Sequence, residues 1–253
     1  MPVSQDNRAV MPGVMSHLPV NRLLVSLPAD DYARITPSLR HVALTRNQVL
    51  VRQDEPMQLV YFPTGGVCSL VKTLQDGTVA EVATIGSEGA IGTSVFFGQR
   101  FAECDVLVQQ PCECALVMDA DAFKAEMDRR DAFFNHVIRY NQALMSQIMQ
   151  TITCNGLHSA EQRCCRWLLM TADRTGRDEF LLTHEFLAEM LGVRRPTVTL
   201  VAERLQRSGL IQYRGGSVTI ADRSRMEAAS CECYHTLKNQ MRRLLPDVEA
   251  SLS

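Results

Sequence analysis

What this sequence lacks narrows it before anything it contains. No apolar run approaches the roughly 20 residues that a membrane-spanning helix needs, so no bilayer-crossing segment is expected. The opening MPVSQDNRAVMPGVMSHLP has no uninterrupted apolar stretch behind a basic start, so it reads as a mobile tail and not a secretory signal. A cytoplasmic chain without membrane contact is the resulting expectation. There is no repeat of fixed period and no low-complexity tract. Enzyme signatures are missing too: no GxGxxG, no P-loop lysine before Thr93, no GxSxG and no HExxH. The glycines of GSEGAIGTS are better explained as turns, and no enzymatic activity is expected. An excess of positive charge is also absent. The formal net charge is −2, so affinity for nucleic acid has to come from a local patch.

Such a patch exists. Between residues 194 and 214 stand Arg194, Arg195, Arg204, Arg207 and Arg214 against one acid, Glu203. The length of 253 residues suits two domains plus tails, and the 46% hydrophobic fraction excludes wholesale disorder. From about residue 40 to 118, short apolar runs such as QLVYFP, VCSLVKTL, TVAEVATI and DVLVQQ alternate with turn residues. That texture predicts an antiparallel sandwich or barrel. Asp76-Gly77 predicts a two-residue hairpin, because both residues tolerate positive φ.

From Asp121 to Cys154 there is neither Pro nor Gly, and the spacing becomes helical. Phe134, Val137, Asn141, Leu144, Ile148 and Thr151 recur at alternating steps of three and four, a coiled-coil-like seam with Asn141 placed to set register between two copies. A second stripe, Phe133, Tyr140, Met145, Met149 and Ile152, is left to pack on the chain's own sheets. The reading is a dimerisation helix ending near Asn155-Gly156; the alternative is one long core helix in a monomer.

A helix over about 159–174, a short strand and a helix pair follow. Thr183 is placed to cap the first helix of the pair, and Gly192 supplies the turn. Val198, Val201, Ala202 and Leu205 form the buried stripe of the second helix, which turns Pro196, Thr199, Leu200, Glu203 and Arg207 outward. Arg194, Arg195 and Thr197 flank its start. Free amides at a helix N-terminus suit phosphate, and Arg195 at the tip can fork to guanine O6 and N7. Pro196, Thr199 and Leu200 are placed for thymine methyls; Thr183, His184 and Thr197 are placed for phosphates. Arg204 and Arg214 extend the basic face. LIQYR and SVTIA around Gly215-Gly216 predict a wing, and residues from about 224 to 245 one more helix closed by Pro246.

With LTHEFLAEMLGVRRPTVTLVAERLQRSGLI and the IGSEGAIG turn in place, the chain resembles the cyclic-AMP receptor protein and fumarate–nitrate regulator (CRP/FNR) superfamily of bacterial transcription factors. The resemblance covers nearly everything after the tail. It implies an α+β architecture: an antiparallel, jelly-roll-like β-roll sensor related to cyclic-nucleotide-binding domains over 21–122, a dimerisation helix over 123–156 and a winged helix-turn-helix over 157–223. Residues 1–20 and 224–253 make up the tail and the C-terminal helix with its own tail. It further implies a homodimer on a two-fold symmetric double-stranded DNA site and contact with RNA polymerase. The second reading, a sensor or scaffold of this fold acting through protein contacts, is disfavoured by the arginine-led helix and wing.

Two departures qualify the resemblance. The family's reading helix often carries Arg-Glu, with Arg four residues after the Glu. Here Arg195 matches, but Pro196 and Leu200 stand at the other two places, so the family's half-site is not expected. In the roll, Gly92 is followed by Thr93 where cyclic-nucleotide binders carry Glu. Without gaps, Ala102 and Glu103 fall where the phosphate-gripping Arg and its neighbour would be, and only a slip of two or three residues brings Arg100-Phe101-Ala102 into place, so no cyclic-AMP response is expected. The effector is left unnamed.

Nine cysteines, scattered without a scaffold spacing, are expected as reduced thiols. The first is Cys68, so the N-terminal cluster of the iron–sulfur members is missing. Cys112 and Cys114 are expected to face the roll's core, Cys164 and Cys165 to divide into one buried and one exposed. Cys231 and Cys233 on one helix would splay by about 200°, a poor chelate. Packing accounts for most, with metal or redox sensing as the alternative. The six histidines leave haem ligation open.

Overall fold

Short β-branched runs punctuated by turn residues build the first half of the chain. The computed structural model describes residues 20–98 and 100–245. Two short helices, α1 (Arg22–Val25) and α2 (Ala29–Ile35), precede seven strands: β1 (Arg40–Leu44), β2 (Val49–Val51), β3 (Leu59–Phe62), β4 (Val67–Thr73), β5 (Val79–Ile85), β6 (Asp105–Gln110) and β7 (Cys112–Asp119). They form two antiparallel sheets, ordered β1-β7-β3 and β2-β6-β4-β5. Val60, Phe62, Val108 and Met118 fill the space between them, joined by Leu23 and Leu24 of α1. This is the expected β-roll. The β4–β5 connection differs in detail. Gly77 takes φ +81°, but Asp76 does not share the positive φ; its carboxylate instead accepts from Thr78 N at 2.9 Å. The turn is thus wider than the two-residue hairpin that was expected, with one left-handed residue instead of two.

The helical stretch after the roll is broken, contrary to the expectation of one continuous helix. α3 (Ala120–Asp128) and α4 (Ala132–Leu157) are separated at Arg130, which takes φ +60°. Asp131 then caps α4 by accepting from Phe133 N at 3.1 Å. A partner from far upstream holds the break: Arg34 donates to Glu126 at 2.9 Å and to Asp131 at 2.6 Å. The glycine at 156 does not stop α4, which runs on to Leu157.

A Ser159/Gln162 capping box starts α5 (Ala160–Thr175). Next come β8 (Glu179–Leu181), α6 (His184–Leu191), α7 (Arg195–Arg207), β9 (Ile211–Arg214) and β10 (Ser217–Ile220), with the sheet ordered β8-β10-β9. Gly215 and Gly216 take φ +57° and +82° and form the expected tight turn. The last helix is also two: α8 (Arg223–Ala229) and α9 (Cys233–Leu244). Cys231 therefore lies in the joint between helices, not on a shared helix with Cys233; Pro246 lies outside the described residues. Cys164 and Cys165 are both buried, and Cys114 is only half-buried, with its sulfur 3.0 Å from His41 Nδ1. No helix among the described residues is long and apolar enough to cross a membrane.

Candidate nucleic-acid interface

The pair α6–α7 is shaped by its own local sequence. Thr183 Oγ1 accepts from Phe186 N at 3.2 Å and starts α6. Gly192 ends it with φ +59°, a left-handed conformation that suits glycine. Val193 N then closes back to Ala188 O at 3.0 Å. α7 opens on Arg194, whose side chain makes no cap bond, with Pro196 in the first turn. Two exposed arginines, Arg194 and Arg195, stand at that start. Val198, Val201, Ala202 and Leu205 are buried as the spacing predicts, and Leu200 is 56% exposed on the opposite face. Arg194, Arg195, Pro196, Arg204 and Arg214 are exposed, and Thr197 is half-buried.

Side-chain geometry separates contact groups from supporting ones. Arg195 Nε stands 3.5 Å from Glu185 Oε2, with both side chains about two-thirds exposed. An ion pair so solvated contributes little and gives way to a stronger anion. Arg204 has a similar loose partner in Glu161 at 3.7 Å. His184, expected at phosphate, is instead tucked beneath α7. Its Nε2 is enclosed, its ring lies 4.8 Å from that of Tyr213, and its Nδ1 is 3.1 Å from Thr199 Oγ1. Burial, then the nearby Arg195, lowers the His184 pKa and keeps the ring neutral. Thr199 Oγ1 lies between His184 Nδ1 at 3.1 Å and Arg195 O at 3.3 Å and is within hydrogen-bond reach of both. Thr199 is thereby held in place from below, and Thr183 spends its oxygen on the helix cap.

The face of α4 also departs from expectation. Val137 and Thr151, read as seam residues, are buried within their own chain. Asn141 is satisfied internally: its Oδ1 accepts from Thr93 at 2.9 Å and its Nδ2 donates to Val137 O at 2.8 Å. Phe134 is half-buried beside Phe96, beneath Arg130 at 4.6 Å, while Leu144 and Ile148 are half-buried too. The apolar residues left open on α4 are Met145, Met149 and Ile152, exposed by 57%, 56% and 66%, and Leu157 at its end, exposed by 77%. The sequence pattern places Met145, Met149 and Ile152 against the chain's own sheets instead. The chain itself covers part of the expected seam: Phe134 meets Phe96 and Asn141 meets Thr93, both from the roll, while α9 packs along α4.

In the roll, Thr93 is buried and turned to Asn141, while Ala102 is buried with its backbone paired to Asp54 and Glu55. Glu103, beside it, is exposed. The winged domain is held against the roll by polar contacts that sequence reasoning missed. Trp167 Nε1 donates to Glu81 at 3.0 Å, Arg174 Nε to Glu88 at 2.8 Å, and Gln109 Nε2 to Thr171 at 2.9 Å. Burial pushes the Glu81 carboxyl up to about 7, against the pull of Ser69, Arg166, Trp167 and Arg174. Burial pushes Glu88 up as well, but Arg174 and Arg22 together outweigh it and leave its pKa lowered.

A helix-turn-helix with a glycine wing and an arginine-led second helix, behind a β-roll, defines a DNA-binding regulator with an attached β-roll domain. Comparison with known proteins agrees. Residues 41–130 match the cyclic nucleotide-binding domain family, and residues 162–229 the Crp-like helix-turn-helix domain family. A CRP-like cAMP-activated global transcriptional regulator of Mycobacterium tuberculosis is 23% identical over 203 residues, 77% of this chain and 89% of that protein. A crp/fnr-family transcriptional regulator from Eubacterium rectale shares the fold at a TM-score of 0.64 and 19% identity, over 82% of this chain and 96% of that one. The c-di-GMP responsive regulator CLP of Xanthomonas campestris aligns at 0.65 and 15%, over 77% and 100%. Its two matched domains, a cyclic nucleotide-binding domain followed by a Crp-like helix-turn-helix, are the makeup of a DNA-binding transcription regulator of the CRP/FNR type.

Proposed function

We propose that this regulator acts in the cytoplasm as a homodimer that reads a two-fold symmetric DNA site with α7 and meets RNA polymerase there. One observation carries the reading of DNA: Arg194, Arg195 and Pro196 stand exposed at a helix start whose N-cap side chain makes no cap bond. Arg195 is the base-reading residue, Arg194, Arg204 and Arg214 contact phosphates, and Leu200 meets an apolar base edge. Met145, Met149 and Ile152 supply the contact between the two copies.

The mycobacterial relative is described as cAMP-activated; that ligand is not carried over. Thr93, Ala102 and Glu103 offer no cation at the place where a cyclic phosphate would need one.

Selection of binding sites from random duplex DNA, followed by gel shift at several salt concentrations, tests the proposal. Expected is a palindromic site whose affinity falls with salt and is largely lost in Arg195→Ala. Uniform weak binding, indifferent to Arg195→Ala, would reject it.

A further inference from the structure

Where α4 ends, three sulfurs and an imidazole converge. Cys154 lies in the last turn of α4 and His158 at its C-cap, one helical turn apart and so on one face. Cys231 comes from the joint between α8 and α9, and Cys233 opens α9. The four donor atoms all lie within 4.8 Å of one another. Cys154 Sγ and Cys231 Sγ are 3.5 Å apart, and Cys233 Sγ is 3.6 Å from His158 Nδ1. Zinc–sulfur bonds of about 2.3 Å and zinc–nitrogen bonds of about 2.0 Å place tetrahedral ligand atoms roughly 3.5–3.8 Å apart. We propose that Cys154, His158, Cys231 and Cys233 form a structural zinc site that fastens the end of α4 to the joint following the winged domain.

The surroundings fit a bound cation of this kind. His158 Nε2, the ring nitrogen turned away from the sulfurs, is 3.2 Å from Glu232 Oε2, the carboxylate–histidine arrangement that orients metal-bound imidazoles. Gln150 Nε2 donates to Cys233 Sγ at 3.0 Å, a bond that suits a thiolate better than a thiol. The guanidinium of Arg166 is buried, its Nε has no hydrogen-bond partner, and its field reaches both Cys154 and Cys231. A buried cation needs negative charge nearby. Three thiolates and a neutral imidazole around Zn²⁺ sum to one negative charge, which acts on Arg166 together with Glu81. Binding releases the three thiol protons and changes no oxidation state. Thiolate and imidazole donors with no oxygen ligand and a closed set of four select zinc over magnesium, calcium or manganese.

The full chain, purified under reducing conditions without chelator, tests this by elemental analysis. Expected is one zinc per chain in the wild type and in Cys104→Ser, whose thiol lies elsewhere, falling to under about a tenth in Cys154→Ser and Cys231→Ser. Should those variants fail to fold, Co²⁺ titration of the metal-free wild type replaces them, with a tetrahedral thiolate spectrum saturating at one equivalent. Glu232→Ala should weaken metal affinity by about 10–100-fold. A wild type that holds no zinc and gives no cobalt spectrum would overturn the site. So would unchanged zinc in Cys154→Ser, iron with labile sulfide in place of zinc, or a Cys154–Cys231 disulfide. None of these outcomes touches the DNA-reading proposal.

Discussion

Trp167 of α5 gives its indole proton to Glu81 of β5 across the seam between the winged domain and the β-roll, at 3.0 Å. Both side chains are buried, and the second carboxylate oxygen of Glu81 has no hydrogen-bond partner. A protonated carboxyl suits that setting, which is the sense of its pKa near 7.

This relationship sets a pH dependence. A carboxyl whose folded pKa is raised stabilises most at pH values below its unfolded pKa, and that stability is lost as pH rises toward the folded pKa. The window here runs from the ordinary carboxylate range up to about 7. Denaturant unfolding should show the wild type losing on the order of 3 kcal/mol across that window relative to Glu81→Gln. Identical pH profiles for the two proteins would refute the assignment.

Gly89 sits against the ring of Tyr140, where an added Cβ would lie 2.2 Å from a ring carbon. Tyr140 is fully buried on α4, so it has nowhere to retreat. Gly89→Ala should cost about 1–3 kcal/mol in urea unfolding, the usual range for overpacking. Combined with Tyr140→Leu the two losses should fall short of additive by about 1 kcal/mol, since one clash is shared.

These cases show which parts of the molecule were legible in the sequence. α6, Gly192 and α7 were, because a cap, a left-handed glycine and a 3.6-residue stripe are properties of consecutive residues. Gly215-Gly216 was legible for the same reason. The break at Arg130 was not: Arg34 holds it through Asp131, 97 positions away. Nor was the open face of α4, since either apolar stripe could meet a partner until Thr93 and Phe96 of the roll are placed against it. Cys231 and Cys233 read as a poor chelate because one helix was assumed to run through both. The seam itself, Trp167 on Glu81 and Arg174 on Glu88, joins lone residues that no local pattern marks.

The face of α4 gives a test that separates the two stripes. Met149→Glu or Ile152→Glu should shift the protein toward single subunits in analytical ultracentrifugation and weaken binding to a palindromic site, with the unfolding midpoint of the single subunit little changed. Val137→Ala should do the reverse. It deletes buried methyl groups, so it should cost about 1–3 kcal/mol of stability and leave the assembly state alone, because Val137 is fully enclosed in its own chain.

Arg195 and Arg204 should differ in kind as well as in size. Both are exposed, and each is held by one loose acid, Glu185 or Glu161. Arg195 is at the tip of α7, where a guanidinium can reach a base edge. Arg204 is more than two helical turns further along, where it meets backbone phosphate. Losing a bidentate base contact should cost about 1–3 kcal/mol and relax preference at one position of the half-site. Losing a phosphate contact should weaken all sequences alike and lower the slope of log affinity against log salt by about 0.9 for each subunit contact removed. Titrations of Arg195→Ala and Arg204→Ala against cognate and single-substituted sites, at three salt concentrations, separate the two. If Arg204→Ala altered base preference while Arg195→Ala altered only the salt slope, α7 would have to lie in the groove in the opposite sense, with its C-terminal half toward the bases.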